Sequence, residues 1–291
     1  MTHKVQAFRP HGQLPHPTPI FAELMLPVEL MFLRVSPTYY GYGVPRGNNS
    51  AVILIPGLVG WDLMLFELHG WLKRVGYRPY YSGIGFVGAC PHMLVRRIEE
   101  TVDRALADTG YPVHLIGHSL GGIFARSLAV RRPKCVASVI TLASPFRGLV
   151  AHGLVLSLGD AMRAWIRGRD SGLPFDCATS RCPCPFGRSL QRRWPKSVLQ
   201  TAIFSKTDGL VDWRYCLTGR PDVDIEVSGT HLGLPFNTEV YACIAERLAS
   251  APMSTRDFRL RIQANADARH ARLQIDTSRL HQGKAIRRGI H

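Results

Sequence analysis

Residues 113–122, Val-His-Leu-Ile-Gly-His-Ser-Leu-Gly-Gly, limit the possible folds more than any other stretch of this chain. An apolar strand pattern at 113–117 runs directly into a helical pattern at 120–131, with only a short bend around Ser119 between them. A bend that tight leaves no room for side chains on its flanks, a demand that Gly117 and Gly121 meet by having none. The serine is then held on a strained turn with its hydroxyl outward, at a helix N-terminus that favours developing negative charge. The plainer alternative is a Gly-rich turn without chemistry; the strand before it and the helix after it argue against that.

Apolar periodicity elsewhere agrees with a parallel sheet. Residues 51–56 are a continuous apolar run ending in Pro-Gly, and 79–82, 136–143, 198–204 and 223–227 also read as strands. Helical spacing recurs at 61–75, 92–107 and 238–248. The expected fold class is therefore α/β, a mostly parallel central sheet flanked by helices. Residues 146–196 interrupt the alternation with an apolar helix-like stretch at 149–166 and then a Cys/Pro/Gly/Arg-rich piece, where a lid or cap insertion would sit. The 291 residues divide into an N-terminal extension at 1–44 with a short apolar helix, a main domain at 45–252 and a basic, flexible tail at 253–291.

Charge is unevenly spread. Lys and Arg number 36 against 21 Asp and Glu, a net +15, of which the segments 163–196 and 253–291 together hold +12. A basic excess so concentrated makes an anionic membrane surface a candidate partner, against the plainer reading of a solvated face. No zinc-finger spacing or aromatic RNA-binding signature accompanies the charge, so nucleic acid is not the expected partner. Residues 20–35 are apolar but interrupted by Glu23, Pro27 and Glu29 and lack a cleavage pattern, so they read as a packed or interfacial helix rather than an export signal. No apolar run is long enough to span a membrane. The expected compartment is the cytoplasm, with a membrane-peripheral position left open.

A serine hydroxyl needs a base, and the base an orienting acid. In this kind of sheet the chain order runs Ser, then Asp or Glu, then His. His231, in Ser-Gly-Thr-His-Leu-Gly-Leu between the last strand and the closing helix, is the candidate base. Asp208 follows the strand at 198–204 and is the candidate acid; Asp212 shares its loop, and Asp222 and Asp224 stand at the entrance to the next strand. A developing oxyanion needs two backbone N–H donors, assigned to Leu120 and to Leu58, with Val59 as the fallback. Val59, Trp61 and Leu210 are the candidate substrate-binding residues beside these loops.

Five stretches, AVILIPGLVG, LIGHSLGGIFAR, VITLASPFRG, IFSKTDGLVDW and VSGTHLGLPFN, resemble the α/β-hydrolase superfamily, its bacterial esterase/lipase-like group, over roughly residues 45–250. The resemblance implies a triad of Ser119, Asp208 and His231. One departure is Pro56, where many lipases carry histidine before the oxyanion-loop glycine.

The seven cysteines read as inert thiols in a reducing compartment. Cys177, Cys182 and Cys184 match no common zinc template, and a disulfide from this cluster to Cys216 is an alternative. No metal or cofactor is expected, since serine catalysis needs neither. The expected function is a serine hydrolase cleaving carboxylic esters, small-molecule or lipid, through an acyl-enzyme. An acyltransferase using the same acyl-enzyme and a non-catalytic scaffold on a hydrolase fold are the alternatives.

Overall fold

A computed structural model describes residues 9–13, 20–58, 60–85, 89–169 and 182–251. The chain divides into two units, Met1–Pro252 and Met253–His291, and the second lies outside the described residues, as does the basic tail placed there.

Strand β1 (Arg9–Gln13) is followed by the 3-10 turn Ile20–Met25 and helix α1 (Leu26–Val35). Then come β2 (Ala51–Ile55), the 3-10 turn Asp62–Leu65, α2 (Phe66–Val75), β3 (Arg78–Tyr81) and α3 (Pro91–Thr109). Next are β4 (Val113–His118), α4 (Leu120–Arg131), β5 (Val136–Leu142), β6 (Gly148–Ala151), α5 (Gly153–Arg169) and α6 (Pro185–Leu190). The described chain closes with β7 (Leu199–Phe204), β8 (Asp224–Glu226) and α7 (Thr238–Ala249).

Six strands form one sheet in the order β3-β2-β4-β5-β7-β8, every neighbouring pair parallel. Parallel strands need crossover helices, and these cover both faces, which explains why β2 and β4 are buried along their whole length. On one face Val52, Leu54, Ile116, Ile140 and Ile203 pack with Leu68, Trp71 and Leu72 of α2 and with Val240, Tyr241 and Ile244 of α7. The buried residues of α2 recur at helical spacing, with Glu67 and the exposed Lys73 and Arg74 as its charged members. On the other face α3, α4 and α6 pack against one another.

Strand order reverses direction between β2 and β4, which are neighbours although β3 intervenes in the chain. A crevice opens at such a switch point beyond the carboxyl ends of the strands. The loops leaving β2, β4, β7 and β8 all emerge there.

Two local readings change. The apolar stretch expected as helix from residue 149 opens as strand β6, and α5 starts only at Gly153. β6 pairs in parallel with β1, and its flanks are tied to the loop after β7: Arg147 N donates to Tyr215 O (3.1 Å) and His152 N to Leu210 O (2.7 Å). These partners lie far away in sequence, and they outweigh local helical spacing. The helix expected at 61–75 likewise begins as a 3-10 turn and becomes α-helical at Phe66. Within α5, Val155 and Leu156 pack against Ala151, Phe204, Val211 and Cys216.

Candidate active site

Ser119 sits at the N-cap of α4 with φ 53° and ψ −121°, a left-handed conformation that a side-chain-bearing residue adopts only when its surroundings enforce it. Its N–H donates to Leu142 O (2.8 Å) at the end of β5, and Gly122 N donates back to Ser119 O (3.1 Å). The glycines are a packing necessity. A Cβ on Gly117 would fall on the backbone of Gly121 and Gly122, one on Gly121 on the carbonyl of Ile55, and one on Gly122 on Ser144. Ser144, at the exit of β5, was not singled out from sequence; its close approach is what makes Gly122 obligatory.

The loop after β7 carries Asp208, 3% exposed. Its Oδ1 accepts the N–H groups of Leu210 and Val211 (2.8 Å each), and its Oδ2 lies 2.7 Å from Nδ1 of His231. The carboxylate fixes Nδ1 as the protonated nitrogen, leaving Nε2 with the lone pair. Burial alone would lower the His231 pKa, but the charge and hydrogen bond of Asp208, with Glu23 adding to them, hold it above the ordinary imidazole value. The other acids are engaged elsewhere. Asp212 caps the turn Trp213–Tyr215 through Arg214 N (2.9 Å), Asp222 pairs with Arg220 (2.6 Å), and Asp224 accepts from the backbone of Thr218 (2.8 Å), Gly219 (2.8 Å) and Arg220 (3.1 Å). The structure thus brings Asp208 and His231 together and keeps Asp212, Asp222 and Asp224 away from the imidazole.

The loop after β2 lies against the serine: a Cβ on Gly57 would come 3.0 Å from Ser119 Cβ and 3.4 Å from His118 Nδ1. Leu58 follows directly, and Leu120 opens α4, whose first N–H groups have no intrahelical partner. Val59 lies outside the described residues. Trp61 is 60% exposed at the start of the 3-10 turn after this loop, and Leu210 stands two residues beyond Asp208. Leu63, Met64 and Phe66 are exposed near Trp61; Phe21, Leu24 and Met25 are exposed on the N-terminal turn, and Leu232 beside His231.

Sequence reasoning missed three contributors. His118, beside the serine, makes a 2.9 Å hydrogen bond from Nε2 to the carbonyl of His231; burial first, and the neighbouring His231 second, push its pKa down to about 3, so it is a neutral donor. Ser205 donates to Gly229 O (2.6 Å), linking the acid loop to the histidine loop. Glu23 accepts from the backbone of both loops, at Gly209 (3.2 Å), His231 (3.0 Å) and Leu232 (2.8 Å). The signal for Glu23 was present: an acid inside an apolar run must find donors if the run is buried.

Cys182, Cys184 and Cys216 carry free thiols, so no disulfide joins Cys182 or Cys184 to Cys216; Cys177 lies outside the described residues. Burial, with Asp208 and Asp212 nearby, pushes the Cys216 thiol well above its ordinary pKa and keeps it a protonated, inert packing group. Among the described residues no group of three or more His, Cys, Asp or Glu is placed to hold a metal ion.

A family model described as the alpha/beta hydrolase family matches residues 52–277. A triacylglycerol lipase of Burkholderia plantarii is 36% identical over 125 residues, covering 40% of this chain and 35% of that protein. A triacylglycerol lipase of Pseudarthrobacter phenanthrenivorans is 36% identical over 106 residues, 33% of each. The match thus spans only about a third of the length of these curated relatives. Among solved structures, a monoacylglycerol lipase of Paleococcus ferrophilus is similar at 16% identity and a TM-score of 0.47, covering 72% of this chain and 97% of that one. Mouse alpha/beta hydrolase domain-containing protein 10 is similar at 22% identity and a TM-score of 0.44, covering 70% and 91%.

Proposed function

This chain belongs to the alpha/beta hydrolase family, and on that premise we propose that it is a serine hydrolase cleaving carboxylic esters through Ser119, Asp208 and His231. The observation that carries this reading is the 2.7 Å contact between Asp208 Oδ2 and His231 Nδ1, joined through His118 to the strained turn that holds Ser119. His231 Nε2 takes the Ser119 proton as Oγ attacks the ester carbonyl, and the carbonyl electron pair moves onto oxygen. The N–H groups of Leu58 and Leu120 receive that charge. Collapse breaks the bond to the alcohol, which leaves with the proton from His231. Water, deprotonated by the same nitrogen, then releases the acid and returns Ser119. Asp208 holds the tautomer and stabilises the imidazolium.

Trp61 and Leu210, with Val59 of the same loop, are the proposed substrate contacts. The exposed Trp61, Leu63, Met64 and Phe66 support an apolar acyl chain, in keeping with the lipase relatives. Residues 146–196 are the proposed lid. The basic segments are the proposed contact with anionic lipid, so binding to phosphatidylserine vesicles should weaken as salt rises.

The first test is turnover of a p-nitrophenyl ester series beside Ser119→Ala. Turnover that peaks at one chain length and vanishes in the variant is the expected result. A wild type that neither turns over esters nor reacts at Ser119 with a fluorophosphonate would defeat the reading.

A further inference from the structure

The family match begins at residue 52, yet a carboxylate from well before it reaches the centre of the site. Glu23, in the turn Ile20–Met25, lies between the loop after β7 and the loop after β8 and is 8% exposed. Its Oε1 accepts from Gly209 N (3.2 Å) and His231 N (3.0 Å), and its Oε2 from Leu232 N (2.8 Å). Gly209 adjoins Asp208, so one carboxylate holds the backbone of both the acid and the base. Six residues on, Glu29 repeats the device on the base loop alone, accepting from Thr230 N (2.8 Å) and Thr230 Oγ1 (2.7 Å). Gly233 makes the space for it, since a Cβ there would fall on the Glu29 carboxylate.

Burying a carboxylate is costly unless donors replace its water, and three convergent N–H groups do so here. Two loops that leave different strands have no covalent reason to stay in register. A group that grips both keeps an acid and a base within hydrogen-bond reach, and small misplacements of such a pair are expensive in rate. We propose that Glu23 is a positioning residue that locks the acid loop to the base loop, so that Asp208 stays in contact with His231. This rests on the reading of His231 as the general base.

A charged Glu23 has an electrical consequence as well. The groups facing the imidazole are Asp208 from the loop after β7, His118 from the end of β4 and Glu23 from the N-terminal turn, with Asp212 and Cys216 behind Asp208. His118 is neutral at working pH, so Asp208 and Glu23 are the nearby charges favouring imidazolium.

The deciding variant is Glu23→Gln in the full chain. Its amide oxygen can still accept, but its NH2 would face Leu232 N–H, donor against donor. Expected are a fall in kcat of about tenfold or more with little change in KM, and a His231 titration, followed by NMR, displaced to lower pH. The acid limb of kcat/KM moves the same way. Glu23→Asp keeps the charge but retracts it: kcat falls while the titration stays nearer to wild type, which also serves if Glu23→Gln folds poorly. Glu67→Gln, which loosens the same segment at its other end, should lower Tm and leave the His231 titration in place. An unchanged titration and kcat in Glu23→Gln would overturn the proposal while ester turnover by the wild type stands. A wild type without turnover or fluorophosphonate labelling defeats the underlying reading instead, and the NMR titration still reports whether Glu23 acts on His231.

Discussion

The two candidate acids of one loop illustrate how geometry assigns work to chemically identical residues. Asp208 and Asp212 are both nearly fully buried and four residues apart, but Asp208 spends one oxygen on His231 and Asp212 spends its own on a turn. Asp208→Asn should therefore cost roughly a thousandfold or more in kcat, because the amide no longer enforces the productive tautomer. Asp212→Ala should leave kcat near wild type and cost about 1 kcal/mol of stability in urea unfolding, the usual effect of losing a cap. A large kcat loss in Asp212→Ala would reverse the assignment. Gly233 tests the packing around the base. Gly233→Ala should expel the Glu29 carboxylate and loosen the His231 loop, so adding Glu29→Ala on top should cost little more. Additive losses in kcat would show that the two residues act separately.

At the level of elements, the N-terminal segment is built into the domain by three acids. Glu23 and Glu29 hold the base loop, and Glu67 of α2 holds the segment's far end. Glu67 accepts from Arg34 Nε (2.9 Å) and from Tyr39 Oη (2.5 Å), while Trp71 Nε1 donates to Thr38 O (2.8 Å). Removing the charge of the buried Glu67 weakens its bonds to Arg34 and Tyr39, so Glu67→Gln should lower Tm by several degrees in a scan monitored by circular dichroism; an unchanged Tm would mean the segment is held by its apolar contacts. The main strands and helices were legible because burial on both faces of a sheet and one face of a helix imposes runs and periods that a sequence records directly. β6 was not legible: its partners are β1 and the loop after β7, and nothing near residues 148–151 announces them. The outward apolar residues of the same N-terminal turn, Phe21, Leu24 and Met25, likewise acquire meaning only when that turn is seen beside the base loop.

At the scale of the whole molecule, three histidines buried among the described residues, His114, His118 and His231, have opposite consequences for stability. Burial lowers the pKa of His114 to about 4 and that of His118 to about 3. Both therefore stabilise the fold above the unfolded value near 6.5, and that stability is lost as pH falls toward the folded values. By pH 5 each should have surrendered roughly 1–2 kcal/mol. His231 has the opposite sign: raised in the fold, its contribution is complete below about 6.5 and fades as pH rises through its folded pKa, so between pH 7 and pH 5 it offsets only part of the acid loss. Urea unfolding at pH 7 and pH 5 should show this drop, and His114→Gln should reduce it by about half; a flat profile would mean these imidazoles are solvated. The sequence by itself determined the parallel sheet and the strained serine turn, because sterics at glycine and the period of burial act between near neighbours. Only the tertiary structure decided that Asp208 rather than Asp212 meets His231, that His118 and Glu23 hold the base loop, and that Ser144 forbids a side chain at residue 122. Those choices depend on atoms brought together by chain folding from as far apart as residues 23 and 231, and a contact between such distant positions leaves no periodic trace in the sequence.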